Sequence, residues 1–166
     1  LVVDLLPILI GYGNSTVEQI KQNLSSTGTN ATGKTSRSLR FIVTREADKD
    51  TLKIIGRPFF AVVETGRKAT PQYTEPSREF VASIREWAEA KGVPGAAYAI
   101  AKSIHQKGTK LFQSGGRNDV YSNVVNEDLI DRISKDILSK YATEYLKNAV
   151  TILTSGTNNT STASRA

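Results

Sequence analysis

The chain has 166 residues, 39% of them hydrophobic, enough for one domain with a core that needs neither disulfides nor metals. It has no cysteine and a single histidine, His105, which excludes disulfide frameworks, zinc-thiolate sites, thiol catalysis and paired-histidine metal motifs, and leaves one partner for any serine nucleophile. The net charge of +6, from 22 basic and 16 acidic residues, favours polyanionic neighbours but falls short of the footprint of a nucleic-acid reader.

Leu1 to Ile10 is the longest apolar stretch, interrupted by Asp4 and Pro7 and too short to span a bilayer. No basic residue precedes it and no small-residue cleavage site follows, so it reads as a poor secretory signal and the chain as soluble. The start at Leu1 reads as a processed or trimmed product. Asn14, Asn23, Asn30, Asn158 and Asn159 fall in N-x-[ST] triplets, which without a signal peptide read as chance products of polar loops. Ser15-Thr16-Val17-Glu18 has the spacing of a capping box, and Val17, Ile20 and Leu24 recur at helical spacing, predicting a short helix to about Ser25. Ser26 to Lys34 is small, polar and punctuated by glycine, which predicts a loop.

Leu39, Phe41 and Val43 alternate with Arg40, Ile42 and Thr44 as in a strand, and Ala47-Asp48-Lys49-Asp50 reads as a turn. Leu52 to Ile55 and Phe59 to Glu64 add strand-like runs around a bend at Gly56-Arg57-Pro58, completing a small antiparallel sheet. After a loop from Pro71 to Pro76, Ser77 caps a helix carrying Phe80, Ile84, Trp87 and Ala88, which Gly92 ends. Pro94 to Lys107 is a second helix with Ala97, Ile100, Ala101 and Ile104 on one face, stopped by Gly108. Thr109 to Val125 contains Ser114-Gly115-Gly116-Arg117-Asn118-Asp119, too polar to pack, and reads as a projecting loop.

Asn126 caps a long final helix, with Glu127 and Asp128 set against the positive end of its dipole. Leu129, Ile130, Ile133, Ile137, Leu138, Tyr141, Tyr145 and Leu146 form a wide apolar stripe that has to be covered, each fully buried member contributing roughly 1.5 to 3 kcal/mol. Thr154 to Ala166 is rich in Ser, Thr and Asn and reads as a flexible tail unless a partner holds it. The expected organisation is a single α+β domain over residues 1–153, with a polar tail over 154–166.

Gly28-Thr29-Asn30-Ala31-Thr32-Gly33-Lys34-Thr35 satisfies the phosphate-loop pattern without exception. Residue frequencies give roughly a one per cent chance of such a match in a chain this long. The chemistry, however, needs a buried strand before the loop and a helix opening at the lysine, so that backbone N–H groups and the helix dipole converge on the phosphates. Here a helix leads in and strand periodicity from Arg37 leads out, so Gly28, Gly33, Lys34 and Thr35 are cofactor ligands only on an alternative, nucleotide-binding reading. Asp4 only faintly imitates a metal-binding strand end.

Other chemistry has little support. His105 reads as a structural histidine, solvent-facing or partly packed. Glu64, Glu75, Glu79, Glu86 and Glu89 show no spacing that singles out an acid and a base and read as solvated helix faces. Trp87 reads as a core anchor. Arg67, Lys68, Lys107, Lys110 and Arg117 form either a basic rim or an ordinary charged surface.

Thr32-Gly33-Lys34 followed by Ser38-Leu39-Arg40, then Phe60 to Arg67, Ile84 to Ala88, Ala97 to Ile104 and Lys107-Gly108-Thr109, come in an order that resembles the head-tail connector, or tail-completion, proteins of tailed bacteriophages. The resemblance covers roughly Val17 to Val150 and lies in the order of motifs, each weak alone. It implies a non-enzymatic α+β subunit, made in the host cytoplasm and located in the virion neck, that multimerises into a ring, a dodecamer by analogy. Its implied partners are further copies of itself, portal or adjacent neck ring proteins and tail proteins, with genomic DNA passing through the lumen without sequence-specific contact. No cofactor, metal or membrane is implied.

In that family a threonine-glycine marks the way into the hairpin, here Thr32-Gly33, and a segment matching Gly108 to Val125 docks to neighbours. The implied interaction residues are Glu64, Arg67, Lys110, Phe112, Arg117, Asp119 and Tyr121. The long final helix and polar tail exceed the usual pattern and suggest a variant ring protein, as of the crAss-like short-tailed phages. The alternatives are a nucleotide-binding protein and a basic DNA-binding module.

Overall fold

The computed structural model describes residues 3–47, 49–70, 75–116 and 119–160. In chain order these form α1 (Leu6–Ser26), α2 (Lys34–Ser38), β1 (Arg40–Arg45), β2 (Asp50–Ile55), a 3₁₀ turn (Pro58–Ala61) running into α3 (Val62–Thr65), α4 (Arg78–Ala90), α5 (Ala97–Lys107), α6 (Lys110–Gln113) and α7 (Glu127–Thr160). The fold is α+β, as expected: helices packed on a small antiparallel sheet, with a long C-terminal helix.

The first helix begins well before the predicted start. Pro7 sits in its first turn, where a missing N–H costs nothing. Leu9, Thr16, Val17, Ile20 and Leu24 then share a buried face. Ser15 is therefore inside the helix, its hydroxyl bonding back to the Tyr12 carbonyl at 3.1 Å rather than capping an end. Asp4, just ahead of α1, accepts from Leu6 N and from Arg45 at 3.0 Å, and belongs to no strand.

The hairpin pairs Arg40 with Ile55 through to Arg45 with Asp50. Arg45 donates to both carboxylate oxygens of Asp50, at 2.8 and 2.9 Å, clamping the turn end. Across the turn Glu46 N donates to Lys49 O, while Asp48 lies outside the described residues. The third predicted strand does not form. Pro58 has no N–H to give a ladder, and the chain coils there, so that Phe60 and Val63, three residues apart, turn onto the core while Phe59 is left 70% exposed.

The core joins Val17, Ile20 and Leu24 of α1 to Leu39, Val120 and Val124, with Phe41, Ile54, Phe60, Val63 and Tyr121 around them. The α4–α5 pair forms as predicted. Ser77 Oγ accepts from Phe80 N at 3.2 Å, and Gly92 and Gly108 take left-handed φ values of 76° and 79° beyond the two helices. Ala88, Ala97 and Ala101 are buried between the two helices. Of the expected loop before α4, residues 71–74 lie outside the described part.

Two glycines of α1 separate helix propensity from packing. A Cβ on Gly13 would press into the Phe41 ring, whereas one on Gly11 would meet nothing within 4 Å. Gly11→Ala should raise stability by up to about 1 kcal/mol. Gly13→Ala should lower it by roughly 1 to 2 kcal/mol, because overpacking outweighs the propensity gain. Urea denaturation of the two variants checks the opposite signs.

Candidate functional site

A helix does open at Lys34, so the expected strand exit from Arg37 is overturned. The helix is five residues long, and Gly33 with φ 67° precedes it. The element leading into the loop is α1, not a strand. The loop also spends its own donors. Gly28 N goes to Ser25 O, Gly33 N to Asn30 O at 3.0 Å, and Ser36 N to the Asn30 side-chain oxygen at 3.3 Å. Lys34 reaches away to Glu86 at 2.6 Å, an ion pair that tethers this loop to α4 and holds the Glu86 carboxyl below its ordinary range. N–H groups satisfied within the loop do not converge on a phosphate.

The expected interaction residues divide into two kinds. Glu64 is buried, and its Oε1 accepts from Tyr121 N at 2.5 Å and Ser122 N at 2.7 Å. Tyr121 leans on Phe60 with ring centroids 5.3 Å apart. Both serve as internal struts, Glu64 buried and Tyr121 half-buried. For the same reason the segment after α6 is not a projecting loop: Val120 and Val124 are core residues, and Asn23 Nδ2 holds the Val120 carbonyl at 2.9 Å. Polarity hid two valines one helical turn apart, fixed by a carboxylate far away in sequence.

Arg67 lies 3.5 Å over the Phe80 ring, and burial lowers its guanidinium pKa. Its backbone is stitched to Thr109 in both directions. Lys110 and Phe112, on α6, are exposed, as is Asp119, which has a positive φ of 46°. Arg117 lies outside the described residues.

His105 is buried, with Nδ1 2.5 Å from the Thr70 hydroxyl and its carbonyl accepting from Thr70 N at 2.8 Å. It clasps the segment before α4 to α5. Nearby Glu75 accepts from Lys102 at 3.1 Å and Tyr98 at 2.9 Å, bonds that hold its carboxyl below the usual range. Glu64, Glu75 and Glu86 are thus bonded groups rather than idle solvated carboxylates.

Trp87 is not a core anchor. The alanine seam of α4 and α5 leaves it 38% exposed on the wall of an apolar cleft of about 830 Å³. Ile84, Ile100, Ile104 and Leu111 line this cleft with it, and Lys107 and Lys110 stand among its polar residues. No carboxylate or histidine is among the described lining residues, so the cleft has no acid–base pair to offer.

The largest anomaly is α7. Asn126 caps it as predicted, accepting from Leu129 N at 3.0 Å. Leu129 is buried, Ile133 and Ile137 are half-buried, and Tyr12 of α1 donates to Asp136 at 2.7 Å, a bond that raises the tyrosine's pKa. From Leu138 onward the apolar side chains turn to a face rotated roughly 150° from the first at 3.6 residues per turn. Leu138, Tyr145, Leu146 and Leu153 are 64 to 70% exposed, and Ile130, Tyr141, Val150 and Ile152 are exposed too. Among the described residues, nothing covers the distal part of the stripe.

The extension of that face through Val150, Ile152 and Leu153 was missed, although the four-residue spacing of Leu138, Ala142, Leu146 and Val150 carries it. The helix also runs past the expected boundary at Leu153 to Thr160, and residues 161–166 lie outside the described part.

No protein-family model, curated protein or solved structure matches the chain. Among the described residues no helix is long and apolar enough to cross a membrane, and no group of three or more His, Asp or Glu side chains could hold a metal ion.

Two substitutions check these assignments. Glu64→Ala strands two backbone N–H groups and should cost roughly 2 to 4 kcal/mol in chemical denaturation, with Glu64→Gln costing less. Lys34→Ala removes only an exposed ion pair. It should shift stability by less than about 1 kcal/mol, and titration calorimetry with ATP or GTP should register no binding in either form.

Proposed function

We propose that this chain is a non-catalytic structural subunit that assembles with copies of itself into a ring, in the head-tail connector of a tailed bacteriophage. The observation that carries the assembly reading is the distal half of α7. Its large apolar side chains from Leu138 to Leu153 stand in solvent on one helix face. They amount to roughly 800 Å² of apolar surface, more than monomers usually leave open and about what one partner contributes to a standard interface. Leaving such a face open costs solubility, and a subunit that is always assembled does not bear that cost.

The connector assignment rests on the order of landmarks from Thr32-Gly33 to Lys107-Gly108-Thr109. On that reading the subunit resides in the virion neck, its neighbours are portal or adjacent ring proteins and tail proteins, and the genome passes through the ring. The charge of +6 suits a position beside DNA or an acidic ring.

Mass photometry and multi-angle light scattering of the purified protein, alone and mixed with the portal, test this reading. The expected result is a closed multimer or a stoichiometric complex with portal rings. A protein that stays monomeric and never binds the portal overturns it.

A further inference from the structure

Two unlike apolar surfaces, the distal face of α7 and the cleft between α4, α5 and α6, are left unfilled by the described residues. We infer that they are the two sides of one contact, the α7 face from Leu138 to Leu153 of one copy seating in the cleft of the next copy. This inference rests on the ring reading above and names the surfaces that build the ring.

Four observations favour a second copy as the occupant. The α7 face has the area a stable association needs. The cleft, at about 830 Å³, has room for several large side chains and is walled by Trp87, Ile84, Ile104 and Leu111. The polar groups also match, since Tyr141 and Tyr145 bring apolar rings with hydroxyls to a mouth bearing Lys107 and Lys110. Lysine there can meet a tyrosine face or hydroxyl while its stem covers the ring. Within one copy α7 packs on α1, and its distal face stays exposed, so it does not occupy the cleft of its own chain.

A two-fold pairing of α7 with α7 would cover one surface and leave both clefts empty. The head-to-tail contact covers both at once, and a contact between unlike surfaces is the kind that propagates into rings.

Because the chain contains no cysteine, single-cysteine variants report one contact each. Asn148→Cys, on the flank of the α7 face, is mixed with a size-tagged Lys110→Cys, and both are treated with a short bismaleimide. The expected product is the mixed dimer, together with a ladder of multimers when both cysteines are in one chain. Leu146→Asp should weaken self-association by at least about tenfold. Its parent side chain is 64% exposed, so the fold is retained and circular dichroism verifies it.

Multimers that cross-link only between two Asn148→Cys chains, or that survive Leu146→Asp, overturn this contact and leave the ring reading standing. Multimers that do form but give no mixed dimer do the same. A protein that stays monomeric at every concentration, with or without portal, overturns both.

Discussion

The buried carboxylate of Glu64 decides where the C-terminal half of this molecule goes. Its Oε1 accepts from two successive backbone N–H groups, those of Tyr121 and Ser122, and so pins the chain at the point where Val120 and Val124 enter the core beside Val17, Ile20 and Leu24. Asn23 adds a second fastening through the Val120 carbonyl and the Asn123 side chain. Asn126 then bonds the Asn123 carbonyl and caps α7. A continuous run of short bonds therefore connects a four-residue helix to the root of the longest one. At 34 residues α7 is about 51 Å long. An error of about 10° at its root would displace its tip by about 9 Å at that length. On the ring reading, in which α7 meets another copy, the helix needs such a root.

The two halves of α7 do different work because their apolar faces differ in direction. Leu129, Ile133 and Ile137 keep to one side and serve the body, with Tyr12 and Asp136 bonded beside them. Leu138, Leu146 and Val150 follow a row of their own, interleaved with Ala142, while Tyr141 and Tyr145 form the neighbouring row. The opposite side bears Lys140, Glu144 and Lys147, with Lys140 and Glu144 paired at 3.1 Å. That exposed pair adds little stability. Such groups give the helix a charged, hydrated side opposite its apolar one.

Features set by local chemistry were legible in the sequence. Ser77, Gly92 and Gly108 bound the α4–α5 pair where their residue types predict, and Asn126 does the same for α7. The hairpin follows its alternating pattern. Features set by distant partners were not legible. Ser15 has the spacing of a cap, yet Pro7 and the burial of Leu9 start the helix earlier. Phe59 to Glu64 has strand composition, but Pro58 and the two N–H groups offered to Glu64 favour a coil. The phosphate-loop string was equally opaque, since its backbone donors are taken by Asn30 and its lysine by Glu86, whose identities no pattern records. For α7 the apolar content was read correctly, but a single stripe was assumed where the helix carries two.

The same logic explains the cleft. Ala88, Ala97 and Ala101 at the crossing of α4 and α5 let the helices approach closely, which is favourable only if larger side chains stay out of the seam. Ile84, Trp87, Ile100 and Ile104 are therefore displaced to one flank, and α6 supplies Leu111 as a further wall. Lys34 bonded to Glu86 and Arg67 stacked on Phe80 hold α4 from other directions, so the flank keeps its shape without being filled. An apolar flank shaped by bonds made elsewhere is the form that the proposed contact calls for. The α7 face proposed to seat there would bind without the cost of reorganising the flank.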